Sequence, residues 1–547
     1  MKRGPLLVVL GLLAIAIVVP VAGGELGFGS GGTASPSAVA GGPTGSAALA
    51  PSATPAPTDA ATPTSAPTAS PTPGVVLADV PIVPVAQFRT PVQTSNRSEV
   101  AAVLAGTSKR YDAVELVASE TDAILAALGV ERPADLTRLI EAADAETLSS
   151  DLATNRKRLA FLRADDVGPS VRALAWGTAS LFGNDRVRDL ADWTLHASLP
   201  VTEAETAFDP ATTWTLFAGG DIMLDRGVYE SLVVKGKGAD FPFDGGTAEI
   251  TGRCKDCSAF GWDLPYTKRT GNAGVMRDLV GGADIAIANF ENPAPNNASW
   301  HTKGTVFSAE PALVDGLVDA GMDYVSLANN HIRDAGGNGV LQTIRNLTKR
   351  GLKVSGAGKD LKAARKPAIL EAAGTKVAIL AYDAIAGGYH ATATKIGSAP
   401  LKGTYVRQDV AAARKAGADV VIVFPHWGTE YDPTPFGAQQ KLARMVIDSG
   451  ADMVIGNHAH WAAAMEVYKG KPIWYALGNF IFDQTWSEPT MEGVTLELTF
   501  RGKDLAQVRM RPHIILDKAQ PNLLDPAGDG RVVLGQVYGA SKGLLPW

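Results

Sequence analysis

Cysteine is almost absent from this chain. Its 547 residues include two, Cys254 and Cys257, both in the run GRCKDCS at 252–258. Two thiolates cannot complete a four-thiolate zinc site. A redox CxxC needs a thioredoxin-like βαβ context, which this segment lacks. In an exported chain a local disulfide stapling a surface loop is the expected form. Charge is sparse as well: 19% of residues are Asp, Glu, Lys or Arg, and the net charge is −6. That excludes a general nucleic-acid binder, which carries a basic domain. No run in the body of the chain is long and apolar enough to span a membrane. What remains is ordinary, with 46% hydrophobic residues, enough to bury a core, and a length that allows about two or three domains.

The N-terminus differs from the body. Lys2 and Arg3 precede residues 5–22, which carry no charge and no polar side chain. The run is long for a signal-peptide core and short for a spanning helix. Residues 1–23 are therefore a signal peptide or a membrane anchor. Either places the protein outside the cytoplasm, and the basic residues favour a cytoplasmic N-terminus. Residues 24–74 are Ala, Pro, Thr, Ser and Gly with little else, a composition expected to be a disordered, semi-extended linker.

Residues 75–208 read as a small α/β module of unknown role. Residues 75–88 and 113–118 are strand-like, 98–104 and 120–128 helix-like, and 134–158 one further helical stretch. No ligand constellation stands out, and Asp165-Asp166 reads as a turn.

Residues 211–516 hold a phrase that occurs four times: a helical stretch, Gly-x-Asp, an apolar run, then a residue of metal-ligand type. The four are GADIAIANFEN from Gly282, GMDYVSLANNH from Gly321, GADVVIVFPHWG from Gly417 and GADMVIGNHAH from Gly450. Glu291, Asn330 and His426 each fall nine residues after their Gly, and His458 falls eight after. Apolar runs bounded by Gly read as buried parallel strands joined by crossover helices. Ligands of such sheets bind at the carboxyl ends of the strands, so the four ends are expected to meet at one edge of one sheet. The candidate ligands are Asp221, Glu291, Asn330, His426, His458 and His460. An i, i+2 pair at a strand end points one way, which would send His458 and His460 to one site. Carboxylates, imidazoles and an amide suit Mn, Fe, Zn or Mg without distinguishing them. Six ligands are too many for one tetrahedral ion, so one or two divalent ions are expected, with a carboxylate bridging a pair. Residues 494–502 and 508–516 read as antiparallel strands, and 517–547 as a C-terminal tail without a legible signal.

GGDIMLDRGV (219–228), ANFENP (288–293), SLANNHIRDAG (326–336), FPHWGTEYDPTP (424–435), GADMVIGNHAHW (450–461) and IWYALGNFIFDQ (473–484) resemble the family of the bacterial capsule-synthesis protein CapA. That family includes the PgsA component of poly-γ-glutamate production. The resemblance implies an α/β fold of the calcineurin-like metallophosphatase type, a four-layer α/β/β/α sandwich. It also implies roles. Asp221 matches the opening metal ligand, Glu291 the bridging carboxylate, Asn330 the amide ligand, and His426, His458 and His460 the imidazoles. His331 matches the histidine that gives a proton to a leaving group. Arg226 and Asn289 would contact substrate or steady an oxyanion, the Arg226 fork suiting phosphate or carboxylate. The superfamily usually opens with Asp-x-His, whereas here it is Asp221-Ile222-Met223.

The function so implied is synthesis, export or anchoring of an anionic capsular polymer such as poly-γ-glutamate. The partners would be that polymer, the membrane through the N-terminal segment, and a membrane-bound polymer synthase complex. The site chemistry alone also fits an extracytoplasmic metal-dependent phosphoesterase with a phosphate-ester substrate, an amide hydrolase or transferase, or a non-catalytic polymer-binding protein with a vestigial metal site.

Overall fold

The computed structural model describes residues 74–202 and 208–545. The expected signal or anchor (1–23) and the linker up to residue 73 lie outside the described residues. Among the described residues no helix is long and apolar enough to cross a membrane.

The N-terminal module is a six-stranded mixed sheet around the long strand Val75–Gln87. That strand pairs antiparallel with Arg158–Arg163, Val171–Ala173 and His196–Thr202. Helices Arg97–Leu104 and Thr121–Leu128 fall where the sequence places them; Asn96 caps the first, and Gly129 ends the second in the left-handed region at φ 66°. The expected single helix over 134–158 is instead the strand Leu139–Ala142 followed by the helix Ala145–Thr154. Two local forces divide it. Residues 139–142 pair in parallel with Val114–Val117, and the Asp144 side chain accepts from the Thr147 N–H and starts the helix there. Asp165 and Asp166 lie in a short 3-10 turn.

The body is a sandwich of two sheets. One has ten strands, with Thr213–Ile222 at its centre between Ile285–Phe290 and Glu492–Arg501, and Asn479–Ile481 also pairing with it. The other has six, including Thr375–Asp383, Val420–His426 and Met453–Ile455 in parallel. Side-chain alternation assigns the layers. Trp214, Leu216, Ile285 and Ile287 of the first sheet share one core with Val377, Ile379, Val420 and Ile422 of the second. The residues between them face outward. Phe217, Ala286 and Ala288 pack with Leu279, Leu317 and Leu347 of the helices outside the first sheet. Ala378, Leu380, Val421 and Val423 pack with Val406, Val410 and Val446 outside the second. The result is the four-layer α/β/β/α order expected from the resemblance.

The repeated phrase has a structural cause at its Asp. Asp284 accepts from the Thr215 N–H at 2.7 Å. Asp323 accepts from Ala286, Asp419 from Lys376 and Asp452 from Val421, each at 2.8 Å. In each case the partner is the second or third residue of the neighbouring strand. Gly321, Gly417 and Gly450 precede their Asp in the left-handed conformation, which ends the helix (φ 92°, 85° and 98°). Each phrase is thus a helix stop, a clamp at the amino end of the sheet, one strand crossing, and a polar side chain at the far rim.

Residues 517–545 are not a tail. Gln520–Leu524 pairs antiparallel with Asp504–Leu516, itself antiparallel to Glu492–Arg501, and the helix Gly530–Ala540 puts Val533 and Val537 into the core between the sheets. The segment is amphipathic only over this short helix, and its strand pairs with a partner that local patterning does not name. The Cys254–Cys257 disulfide is formed, at the head of the hairpin Thr247–Cys254 and Leu264–Gly271.

Candidate metal centre

Backbone register assembles the first half of the site. In three adjacent parallel strands, Asp221 lies opposite both Asn289 and Asn479. The close approach at this rim needs glycine, because a Cβ on Gly220 would collide with the Gly478 carbonyl oxygen. Glu291 follows directly after the strand Ile285–Phe290 and is fully buried. The second sheet brings the histidines. His426 is the last residue of its strand, opposite Asp383, while His458 and His460 lie in the loop beyond Met453–Ile455. The site therefore spans the rims of two sheets rather than one edge of one sheet. His458 and His460 do not converge by strand alternation either. Both have left-handed backbone, φ 93° and 56°, a conformation that non-glycine residues hold when their surroundings impose it.

The side chains form two triads that share one carboxylate. Glu291, His426 and His458 offer ligand atoms all within 4.8 Å of one another, and so do Asp221, Glu291 and His460. Glu291 Oε1 is 3.6 Å from His426 Nε2 and 3.8 Å from His460 Nε2. His458 Nδ1 is 3.1 Å from His426 Nε2, and the Asn330 side-chain oxygen is 2.7 Å from that same nitrogen. All six candidate ligands thus meet in one cluster.

Electrostatics sharpen the picture. Both Glu291 oxygens are buried without a hydrogen-bond partner. An unpartnered buried carboxylate is costly unless a cation compensates it. Burial, and then the neighbouring Asp221, push the Glu291 carboxyl well above its ordinary range. Burial likewise raises Asp221 to about 7. It holds His458 and His460 down to about 3, and His426 well below its usual value, so the three imidazoles stay neutral with lone pairs to donate. Neutral imidazoles, carboxylates and an amide oxygen around an orphaned carboxylate fit one or two divalent ions.

Arg226 and Asn289 stand beside this cluster, already engaged. Arg226 pairs with Asp483, donates to the Gly304 carbonyl at 2.8 Å and lies over the Phe307 ring. It clasps two segments together rather than presenting an open fork. Asn289 donates to Asp221 at 2.7 Å, and its nitrogen lies 3.3 Å from His426 Nδ1, which positions ligands from both sheets. Met223, where the resemblance leads one to expect a histidine, is buried in the core outside the first sheet. His331 Nδ1 faces Asp334 at 2.8 Å, and its ring packs on Phe307.

Sequence reading missed three contributors. Asp334 also accepts from the Tyr389 hydroxyl and the Phe307 N–H, which fixes it beside His331. Asn479 holds His460 Nδ1 at 2.8 Å. An aromatic wall runs from the hairpin tip to the cluster: Trp262 against Trp461 and Trp486, Trp486 against Tyr431, Tyr431 over His460. Asp334 and Asn479 lie inside the matched motifs, so only their pairing was hidden. Trp262 left no local signal.

The layers and the double triad define a four-layer sandwich protein with a candidate divalent-metal centre. Comparison with known proteins bears on it. Residues 215–484 match the family model of the bacterial capsule synthesis protein PGA_cap. The chain is 30% identical over 339 residues to the capsule biosynthesis protein CapA of Bacillus anthracis, covering 60% of this chain and 74% of that one. It is 35% identical over 216 residues to the PGA biosynthesis protein CapA of Bacillus subtilis (strain 168), 39% of this chain and 57% of the relative. Among solved structures, the 5′-nucleotidase precursor of Thermus thermophilus is similar at 13% identity and a TM-score of 0.33, over 60% of this chain and 59% of that one. The chain belongs to the PGA_cap family of bacterial capsule synthesis proteins.

Proposed function

We propose that this protein acts outside the cytoplasm in making, exporting or anchoring an anionic capsular polymer of the poly-γ-glutamate kind, through a divalent-metal-dependent hydrolase or transferase site in its sandwich. The observation that carries the metal is Glu291: fully buried, shared by both triads, with neither oxygen hydrogen-bonded. His426 and His458 would hold one ion with Glu291 and Asn330, and Asp221 and His460 a second. Such ions, when bound, would polarise the bond to be broken and supply an activated water.

The chain's own residues provide the rest. With Asp334 accepting at Nδ1, the His331 proton sits there and Nε2 is the nitrogen left to exchange a proton with a leaving group. Asn289 and Asn479 fix the ligand side chains from the next layer out. Tyr431 and Trp461 wall the His460 side against water. The polymer role is supported by membership of the family, and the exported setting by residues 1–74 of the sequence.

The same donor set with a proton donor beside it also favours phosphate-ester hydrolysis. Metal analysis of the purified protein should find at least one divalent transition ion, reduced by His426→Ala or His458→Ala. Metal-reconstituted protein should then cleave either a chromogenic phosphate ester or oligo-γ-glutamate, and the one it cleaves names the reaction. A metal-free protein of unchanged stability would overturn the metal centre. Metal without turnover on either substrate would make it a binding protein with a vestigial site.

A further inference from the structure

A second cleft, sharing no residue with the metal centre, lies between the N-terminal module and the sandwich. It encloses ≈ 970 Å³, at the upper end of small-ligand sites. Four arginines line it: Arg89 and Arg172 from the module, Arg509 and Arg511 from the strand Asp504–Leu516. Two of the four are compensated. Arg511 Nε lies 2.5 Å from Glu497 Oε2, and Arg509 lies 3.4 Å from both Glu497 and Asp185.

The other two are not. Among the described residues no carboxylate pairs with Arg89 or Arg172, and the Nε of each is buried without a hydrogen-bond partner. Arg89 rests over the Tyr538 ring, 5.1 Å from its centroid. Burial, and then repulsion from Arg509, hold the Arg172 guanidinium down to about 10. The acidic side chains that also line the cleft are occupied. Glu249 faces Lys268 at 3.5 Å, Asp529 accepts from the Ile250 N–H at 2.7 Å and Asp525 from the Ala527 N–H at 2.9 Å.

We propose that this cleft binds an oxyanion-bearing ligand, carboxylate or phosphate, through Arg89 and Arg172. A guanidinium fork matches either group bidentately, and the low dielectric of a cleft strengthens the contact. An anion there gives Arg89 and Arg172 the direct partner that no carboxylate among the described residues provides. It also touches both bodies, so its binding ties the module to the sandwich. The site is independent of the metal, and the family's anionic polymer only guides the choice of probe.

The test is calorimetric titration of the full-length protein in EDTA, with short oligo-γ-glutamate in one arm and inorganic phosphate in the other. The expected result is saturable, salt-sensitive binding of at least one probe, and the tighter one identifies the ligand class. Arg172→Gln should weaken it at least tenfold and Arg172→Lys less, whereas His458→Ala should leave it unchanged. If Arg172→Gln does not fold, Arg89→Gln carries the same test. Absence of binding for both probes, or binding lost in His458→Ala and kept in Arg172→Gln, overturns the proposal. Because EDTA silences the metal centre, neither result depends on whether that centre is catalytic.

Discussion

The side-chain oxygen of Asn479 lies 2.8 Å from Nδ1 of His460 and so turns Nε2 of that ring toward Glu291. The backbone sets this up, since Asn479 and Asp221 are partners in adjacent strands. Outer partners of this kind orient metal ligands and typically matter by about 10–100-fold in affinity. Asn479→Ala should lower metal affinity by that order with the fold retained. Competition titration against a chelating dye measures it, and an unchanged affinity would remove Asn479 from the site.

Glu291→Gln should have opposite effects with and without metal. In EDTA the substitution removes a buried carboxylate whose two oxygens lack partners, and the melting temperature should rise. The gain should stay below about 1–3 kcal/mol, the full penalty for an unpartnered buried group, since the amide also leaves polar atoms there. With metal supplied, the variant should bind less and lose the metal-dependent stabilisation of the wild type. Thermal melts in both buffers decide it, and a destabilised apo variant would contradict the reading.

His331 is held by Asp334 at 2.8 Å, outside both triads. His331→Gln should therefore keep the metal content and lose turnover by roughly 10²–10⁴-fold, the usual weight of a positioned proton donor. Asp334→Asn should act in the same direction and distort the pH profile. Full activity in His331→Gln would return the residue to a packing role.

The docking of module and sandwich carries its own pH dependence. Glu497 is buried, accepts from the Asn184 N–H at 2.9 Å, and pairs with Arg511 and Arg509. Despite burial, which alone would raise it, those arginines hold its carboxyl down to about 2. A carboxyl depressed in the fold stabilises it above the unfolded value, about 4.5, and that stability is lost as the pH falls toward 2. Chemical unfolding between those pH values should show a loss on the order of 3 kcal/mol, absent in Glu497→Gln, which should start out less stable.

Cys254–Cys257 staples the start of the hairpin loop that carries Trp262. So short a loop gains little from cross-linking, below about 2 kcal/mol. Reduction should leave the global melting temperature nearly unchanged while speeding proteolysis at Arg253 and Lys255. Trp262→Ala should raise KM more than it lowers kcat, because the ring stands on the wall rather than among the ligands. An equal fall in kcat would place it closer to the chemistry.

Much of this was legible in the chain because it is local. Gly-x-Asp, an apolar run of fixed length and a polar end residue encode a helix stop, a clamp and one crossing of a sheet. The position of the end residue follows from the rise per residue. That is why Glu291, Asn330, His426 and His458 could be named together from spacing, and why Asp221 and His460 joined them in the same cluster. The division of 134–158 and the pairing of Gln520–Leu524 escaped notice, since both depend on strand partners elsewhere in the chain.

The sequence alone determined which side chains reach the carboxyl ends of the strands, since strand period and length are local properties. Only the tertiary structure decided that two sheets, not one, supply them. It alone paired Asn479 with His460, closed the Arg226 fork on Asp483, and left Arg89 and Arg172 in a cleft with no carboxylate of the described residues paired to them. Those outcomes are set by packing between segments far apart in the chain, where hydrogen-bond geometry and burial, rather than local pattern, choose the partner.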